Sequence, residues 1–287
     1  YGWINDLGIS CNLGITRIAG SPPNLVGRDM GCVSETINEK PTAFAAYGST
    51  LYLFFETDVD NWNGAYSAVS TDNGVTWSVG SAVFTEATDR IVPVGILQAG
   101  AGYNTMGFPS NVSGAYLYVY LTENRMKVSA WHDGRGQALY LGRVHPEQLF
   151  SRDAYEFFSG TDDANNARWS SDIHKKQAVF TDPSGMEFHA MVTYNPGIQR
   201  FIYAKGHQTS GLGVFEGPTP WGPWGTVYYG QFKDSFWKFT YQFPLKWMSA
   251  DGLTMWMAWS GWPEYDNVNF IKTSLSLENR SPRMTPR

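Results

Sequence analysis

Apolar and polar residues alternate with a period of two along much of this chain. The clearest runs are Leu51–Phe55, Tyr116–Tyr120, Glu187–Thr193 and Thr254–Trp259. Such alternation, bounded by Gly, Pro and Asn, marks half-buried antiparallel strands. Each run is followed by a second: Ala65–Ser70, Ala138–Val144, Gln199–Ala204 and Asn269–Leu275. The first runs start roughly 65 to 70 residues apart, a spacing that reads as a multi-stranded repeat. The stretch Gly185–Trp224 shows the unit best, with strands either side of Asn195-Pro196-Gly197, a third strand near Leu212–Phe215 and a Pro/Gly/Trp corner. One unit cannot bury its own apolar face, so it needs neighbours of its kind.

Four units are visible, and the N-terminal segment carries further strand, Leu13–Ile18. Joining that segment to the end of the chain closes a fifth. The expected architecture is therefore all-β: a five-bladed β-propeller with four-stranded antiparallel blades, one domain over residues 1–287. The only helical stretch expected is a short turn over His145–Arg152. Ser70-Thr71-Asp72-Asn73-Gly74-Val75-Thr76-Trp77 fits the Asp-box pattern S-x-D-x-G-x-T-W of propeller blades. In that hairpin the Asp ties the turn, the Gly takes a positive φ and the Trp packs between strands.

Composition sharpens the picture. Twelve Trp, 16 Tyr and 17 Phe favour strands, and Trp and Tyr also stack on sugar faces. A net charge of −5 argues against nucleic acid as a partner. No apolar run approaches the length of about 18 residues that spans a membrane. Cys11 and Cys32 read either as one disulfide or as two small buried residues, with secretion tilting the balance to the bridge. The cues for secretion are two glycosylation sequons, Asn111-Val112-Ser113 and Asn279-Arg280-Ser281. A secreted, extracellular monomer is the expectation.

Several runs resemble a propeller family long without assigned function. They are Arg152–Gly160, Arg168-Trp169-Ser170-Ser171-Asp172, Thr193–Gly197, Pro220-Trp221-Gly222-Pro223-Trp224 and Lys246–Gly252. One branch of that family is similar to endo-D-arabinanases, which are five-bladed glycoside hydrolases. Propeller polysaccharide lyases share the architecture. In the arabinanase branch two aspartates sit in short glycine-flanked and aromatic-flanked runs. Gly27-Arg28-Asp29-Met30-Gly31 resembles the first. Phe54-Phe55-Glu56-Thr57 resembles the second, with Glu in place of Asp.

Glycoside hydrolysis needs one acid to protonate the leaving oxygen and a second carboxylate to activate water or attack. Asp29 and Glu56 are the candidates, and Asp172 is a further acid that equally suits fixing a turn. Elimination across a uronate linkage needs a base, a cation and an acid such as Tyr. His174, His189 and Tyr194, with Arg200 and His207, offer those parts, although a lone strand histidine is more often structural. A third reading is a sugar-binding propeller without catalysis. Trp62, Trp237, Asn195, Arg200, His207 and Lys246 are candidate saccharide contacts, and the partner expected is a polysaccharide or oligosaccharide. The histidines show no zinc spacing, so no metal centre and no cofactor are expected, a structural calcium at Asp58 and Asp60 being the one exception.

Overall fold

A computed structural model describes residues 3–4, 10–11, 13–35, 40–56, 64–85, 87–124, 135–185, 189–207, 211–232, 239–261 and 267–277. Its regular structure is almost entirely strand. Two short strands, β1 (Trp3–Ile4) and β2 (Ser10–Cys11), pair with each other. A hairpin follows, β3 (Leu13–Ser21) with β4 (Asn24–Ser34). Four larger antiparallel sheets then form the blades of a β-propeller. The first blade is β5 (Lys40–Tyr47), β6 (Thr50–Glu56), β7 (Gly64–Ser70) and β8 (Ser78–Thr85). The second holds β9 (Ile91–Ile96), β10 (Leu117–Asn124), β11 (Arg135–Val144), β12 (Glu156–Thr161), β13 (Ala167–Ser170) and β14 (Ala178–Thr181). Strand β11 is long enough to pair with β12 along one half and β14 along the other. The third blade is β15 (Met191–Asn195), β16 (Arg200–His207), β17 (Gly211–Gly217) and β18 (Gly225–Gln231). The fourth is β19 (Phe239–Gln242), β20 (Thr254–Ser260) and β21 (Val268–Ser274).

The blade count corrects the sequence expectation of five. Among the described residues β21 pairs with β20, while β3 and β4 pair with each other, so the two ends of the chain do not build a shared sheet. The hairpin bridges the fourth and first blades through side chains instead. Leu13 and Val33 pack on Leu53, Phe55 and Ala68 of the first blade. Near the hairpin tip, Lys246 Nζ donates to Ile18 O (2.5 Å) and Trp247 Nε1 to Gly20 O (3.0 Å). Most of β3 is exposed, which leaves it too little apolar surface to act as a buried blade. Cys11 and Cys32 are bridged, with Cα atoms 5.6 Å apart, and this pins β2 to β4.

A second correction concerns which strand comes first. The alternating runs at Leu51, Tyr116 and Thr254 are the second strands of their blades, β6, β10 and β20. One innermost strand, β9, escapes the pattern because it holds no polar residue. In β9, Ile-Val-Pro-Val-Gly-Ile, every residue is buried. A strand covered on both faces reads as a plain apolar run.

The inner strands touch at the axis. Ala190 N donates to Val94 O (2.7 Å), Gln98 N to Val192 O (2.9 Å) and Tyr194 N to Gln98 O (3.0 Å). Gly95 makes this approach feasible, since a Cβ there would run into the carbonyl oxygen of Ala190. Aromatic rings fill the seams between blades. Phe54 meets Phe150 (5.2 Å) and Phe84 meets Tyr155 (5.0 Å) between the first and second, and Trp169 meets Trp221 (6.0 Å) between the second and third. The turn after β7 is tied by Asp72, which accepts from Thr76 Oγ1 (2.6 Å), Thr76 N (2.9 Å), Ser70 Oγ (2.8 Å) and Val75 N (3.1 Å). Those bonds, led by the one from the Thr76 hydroxyl, pull the Asp72 carboxyl down to about 2.

Candidate functional site

The propeller has two ends: one where the inner strands begin and one where they finish. Strand alternation decides which side chains gather at the beginning end. In β6, Phe54 turns toward the second blade, where it meets Phe150, while Leu53 and Phe55 turn toward the hairpin. Glu56 lies two residues beyond Phe54, so it shares the face toward the second blade. It ends β6 beside Lys40, the first residue of β5, and is fully buried. In β10 the even-numbered face looks to the third blade, with Tyr118 against Trp221 and Tyr120 Oη donating to Pro220 O (2.9 Å). The odd-numbered face, Leu117, Val119, Leu121 and Glu123, therefore looks back to the first blade. Glu123 stands beside Ile91, the first residue of β9. It is partly exposed, accepts from Tyr140 Oη (2.9 Å) and has Lys176 Nζ at 4.0 Å. Glu56 and Glu123 thus occupy the same place in adjacent blades and turn into the same seam.

His189 sits just before β15 at this end and joins three blades. Its Nε2 lies 3.0 Å from Pro41 O of the first blade, and its Nδ1 lies 3.1 Å from Thr240 Oγ1 of the fourth. A carbonyl only accepts, so Nε2 carries the hydrogen, and Nδ1 is left facing the Thr240 hydroxyl. Both nitrogens are spent on holding blades together, an arrangement suited to positioning rather than to proton abstraction.

A buried ion pair lies close by. Asp182 follows β14, and Lys205 Nζ reaches it at 2.5 Å while also donating to Gly185 O (2.7 Å). Ser184 Oγ (2.7 Å) and Tyr229 Oη (3.1 Å) complete the shell, so the cluster spans the second and third blades. Burial by itself would raise the Asp182 carboxyl, but the hydrogen bonds from Lys205 and Ser184 outweigh it and hold the group below its ordinary range.

The other sequence candidates scatter. Asp29 is exposed on β4, where it accepts from Thr16 Oγ1 (2.9 Å). Its neighbour Met30 backs onto Gly74 beside Leu51, at the far end of β6 from Glu56. Five residues of strand, about 17 Å, separate those ends, so Asp29 and Glu56 are not brought together. Asp172 caps the 3₁₀ turn Ile173–Lys175 by accepting from His174 N (3.0 Å), and both residues are exposed. Tyr194 is buried at the finishing end with its hydroxyl donated to Gly107 O, and burial pushes the phenol up. His189 and Tyr194 are therefore at opposite ends of β15. Asn195 is fully buried, donating to Gly252 O (2.9 Å) and accepting from Gly197 N (3.1 Å). Arg200 pairs with Glu216 (3.1 Å), and Lys246 holds the hairpin tip over the Trp247 ring. His207 ends β16. Its side chain lies outside the described residues, as do Trp62, Trp237, Asp58 and Asp60. Among the described residues no three His, Cys, Asp or Glu side chains gather as a metal site.

Glu123, Asp182 and Lys205 were missed in the sequence. Glu123 closes an alternating strand just as Glu56 does, and that equivalence was the available signal. Lys205, a charge inside a buried strand, demands a partner that only the folded chain supplies.

No family model and no curated protein matches the chain. Solved structures do. A GH43_1 enzyme from Xanthomonas citri superposes on 92% of this chain and 78% of its own, at 11% identity and a TM-score of 0.53. The same enzyme complexed with xylose superposes on 91% and 78%, at 11% identity and a TM-score of 0.51. The endo-arabinase from Bacteroides thetaiotaomicron covers 93% and 88% at 11% identity, with a TM-score of 0.49, and nothing is built on that weaker likeness. The likeness is one of fold. An identity this low hands over no residue roles, and those have to come from the site itself.

Proposed function

We propose that this chain is a secreted glycoside hydrolase that cleaves a polysaccharide, arabinan-like in character, at the end where its inner strands begin. The observation that carries the proposal is the placement of Glu56 and Glu123 at equivalent strand ends of adjacent blades, from which strand alternation directs both toward one seam. Sheets packed face to face lie about 10 Å apart, so carboxyl groups reaching from both into the seam fall near the spacing of roughly 5 to 9.5 Å used by glycosidases. Glu123 is the one that water reaches, and it acts as the base; Glu56 protonates the leaving oxygen. The propeller likeness to a GH43_1 enzyme supports the reaction class by analogy of fold. The Cys11–Cys32 bridge supports an oxidising compartment.

The test is digestion of a panel of arabinans, xylans and uronate polymers, following both reducing ends and ultraviolet absorbance. New reducing ends without absorbance are expected. Glu56→Gln and Glu123→Gln should each lower turnover by about 100-fold or more, with thermal melts recorded to exclude unfolding. Absorbance rising with the reducing ends would mean an unsaturated uronate product and would overturn hydrolysis. Silence on every polymer would leave a sugar-binding propeller.

A further inference from the structure

The finishing end of the propeller holds a cleft of about 450 Å³ between the second and third blades. That volume lies within the span of roughly 300 to 1,000 Å³ typical of small-molecule sites. The second blade supplies Phe108, Asn111 and Asn165, and the third supplies Gln199, Arg200 and Thr219. We infer that this cleft is a saccharide-binding site for a short neutral oligosaccharide, separate from the Glu56–Glu123 seam.

The lining has the mixed character that sugars need. Side-chain amides and a guanidinium stand beside an apolar patch made by Phe108, Pro109 and Pro218. Ring hydroxyls bond to the first set, and the C–H face of a sugar rests on the second. Charge favours a neutral ligand, because the Arg200 guanidinium is already balanced by Glu216 (3.1 Å) in a chain of net charge −5.

The cleft is also preformed. Phe108 is set edge-on against Tyr194 (4.9 Å) and Phe201 (5.5 Å). Trp221 Nε1 donates to Asn165 O (3.0 Å), and Asn165 Nδ2 donates to Gly222 O (3.1 Å). Two lining residues hold left-handed backbone, Asn165 at φ 61° and Gln199 at φ 53°. Asn tolerates that region, whereas Gln is strained in it, and such strain collects at binding and catalytic sites. The site lies six residues of β10 away from Glu123, about 20 Å, so one short ligand cannot span both.

Asn111 opens a glycosylation sequon, and a glycan there would enter the same cleft, so the experiment uses protein made without N-glycosylation. Labelled protein is titrated with xylo- and arabino-oligosaccharides while backbone amide shifts are followed. Saturable shifts at Asn111, Asn165 and Arg200 are expected, with a Kd near 1 mM. Arg200→Ala and Asn111→Ala should each raise that Kd by about fivefold or more. Asn111 is exposed in a turn, so its variant is expected to keep the parent melting temperature. Shifts confined to the Glu56, Glu123 and His189 end would overturn the inference, and so would no shift at about 10 mM of any oligosaccharide.

Discussion

The two ends of β15 are five residues apart and are secured in opposite ways. At the beginning end, His189 spans to Pro41 and Thr240, and the nearby Asp182–Lys205 pair joins the second and third blades. At the finishing end, Tyr194 gives its hydroxyl to Gly107 O, and Asn195 ties the third blade to Gly252 of the fourth. The first end depends on groups whose charge changes with pH. The second is joined to its neighbours by neutral hydrogen bonds and edge-on rings, its ion pair Arg200–Glu216 lying within the third blade. A propeller can thus carry titratable side chains, and any chemistry they serve, at one end while the other keeps the blades in register.

The largest expected effect tests the charged end. Lys205→Met leaves the Asp182 carboxylate buried without its cation, which should cost about 3 to 5 kcal/mol in a urea titration. Loss below 1 kcal/mol would mean that the pair contributes little to joining the blades. At the neutral end, Asn195→Ala removes a donor to Gly252 O and an acceptor for Gly197 N. It should cost about 1 to 3 kcal/mol, with no change in the pH dependence of stability. Tyr194→Phe removes one hydrogen bond while keeping the ring against Phe108 and Phe201, so about 1 kcal/mol is expected. A larger loss of activity than of stability in that variant would move Tyr194 into the chemistry.

The same charged pair gives a further test in acid. The Asp182 carboxyl is held below its ordinary value of 3.8 in the folded protein, so the folded state binds fewer protons there than the unfolded one. Its stabilisation is complete above that value and fades as the pH falls through the lowered one. Asp72, with its carboxyl at about 2, behaves in the same sense for the turn after β7. Hydrogen exchange at falling pH should therefore show protection lost around Ala190 and Lys205 before it is lost around Asn195. Simultaneous loss would dissolve the contrast between the ends. Lys205→Met should remove most of the acid sensitivity attributable to Asp182.

Local chemistry was legible in the sequence wherever one short stretch decides the outcome. Alternation of residue type located β6, β10, β16, β20 and β21, although β10 and β16 turn out to be buried on both faces. The Ser70–Trp77 run was enough to assign the Asp72 tie, since all its partners lie within four residues. Glu56 was singled out as an acid closing a buried strand, and there it lies. Local pattern thus specifies an antiparallel, multi-bladed, all-β chain with its turns in place.

Tertiary structure alone decided the rest. The inner strand β9 hid because Ile-Val-Pro-Val-Gly-Ile holds no polar residue to mark a period. The blade count depended on whether β3 and β4 would find β21, a pairing between distant segments that no local pattern records. Asp29 and Glu56 parted because they lie at opposite ends of β6, whereas Glu56 and Glu123 hold equivalent strand ends in adjacent blades. Lys205 and Asp182 became partners only when two blades closed over them. Side-chain period is a property of one strand, while convergence is a property of the ring that strands make together.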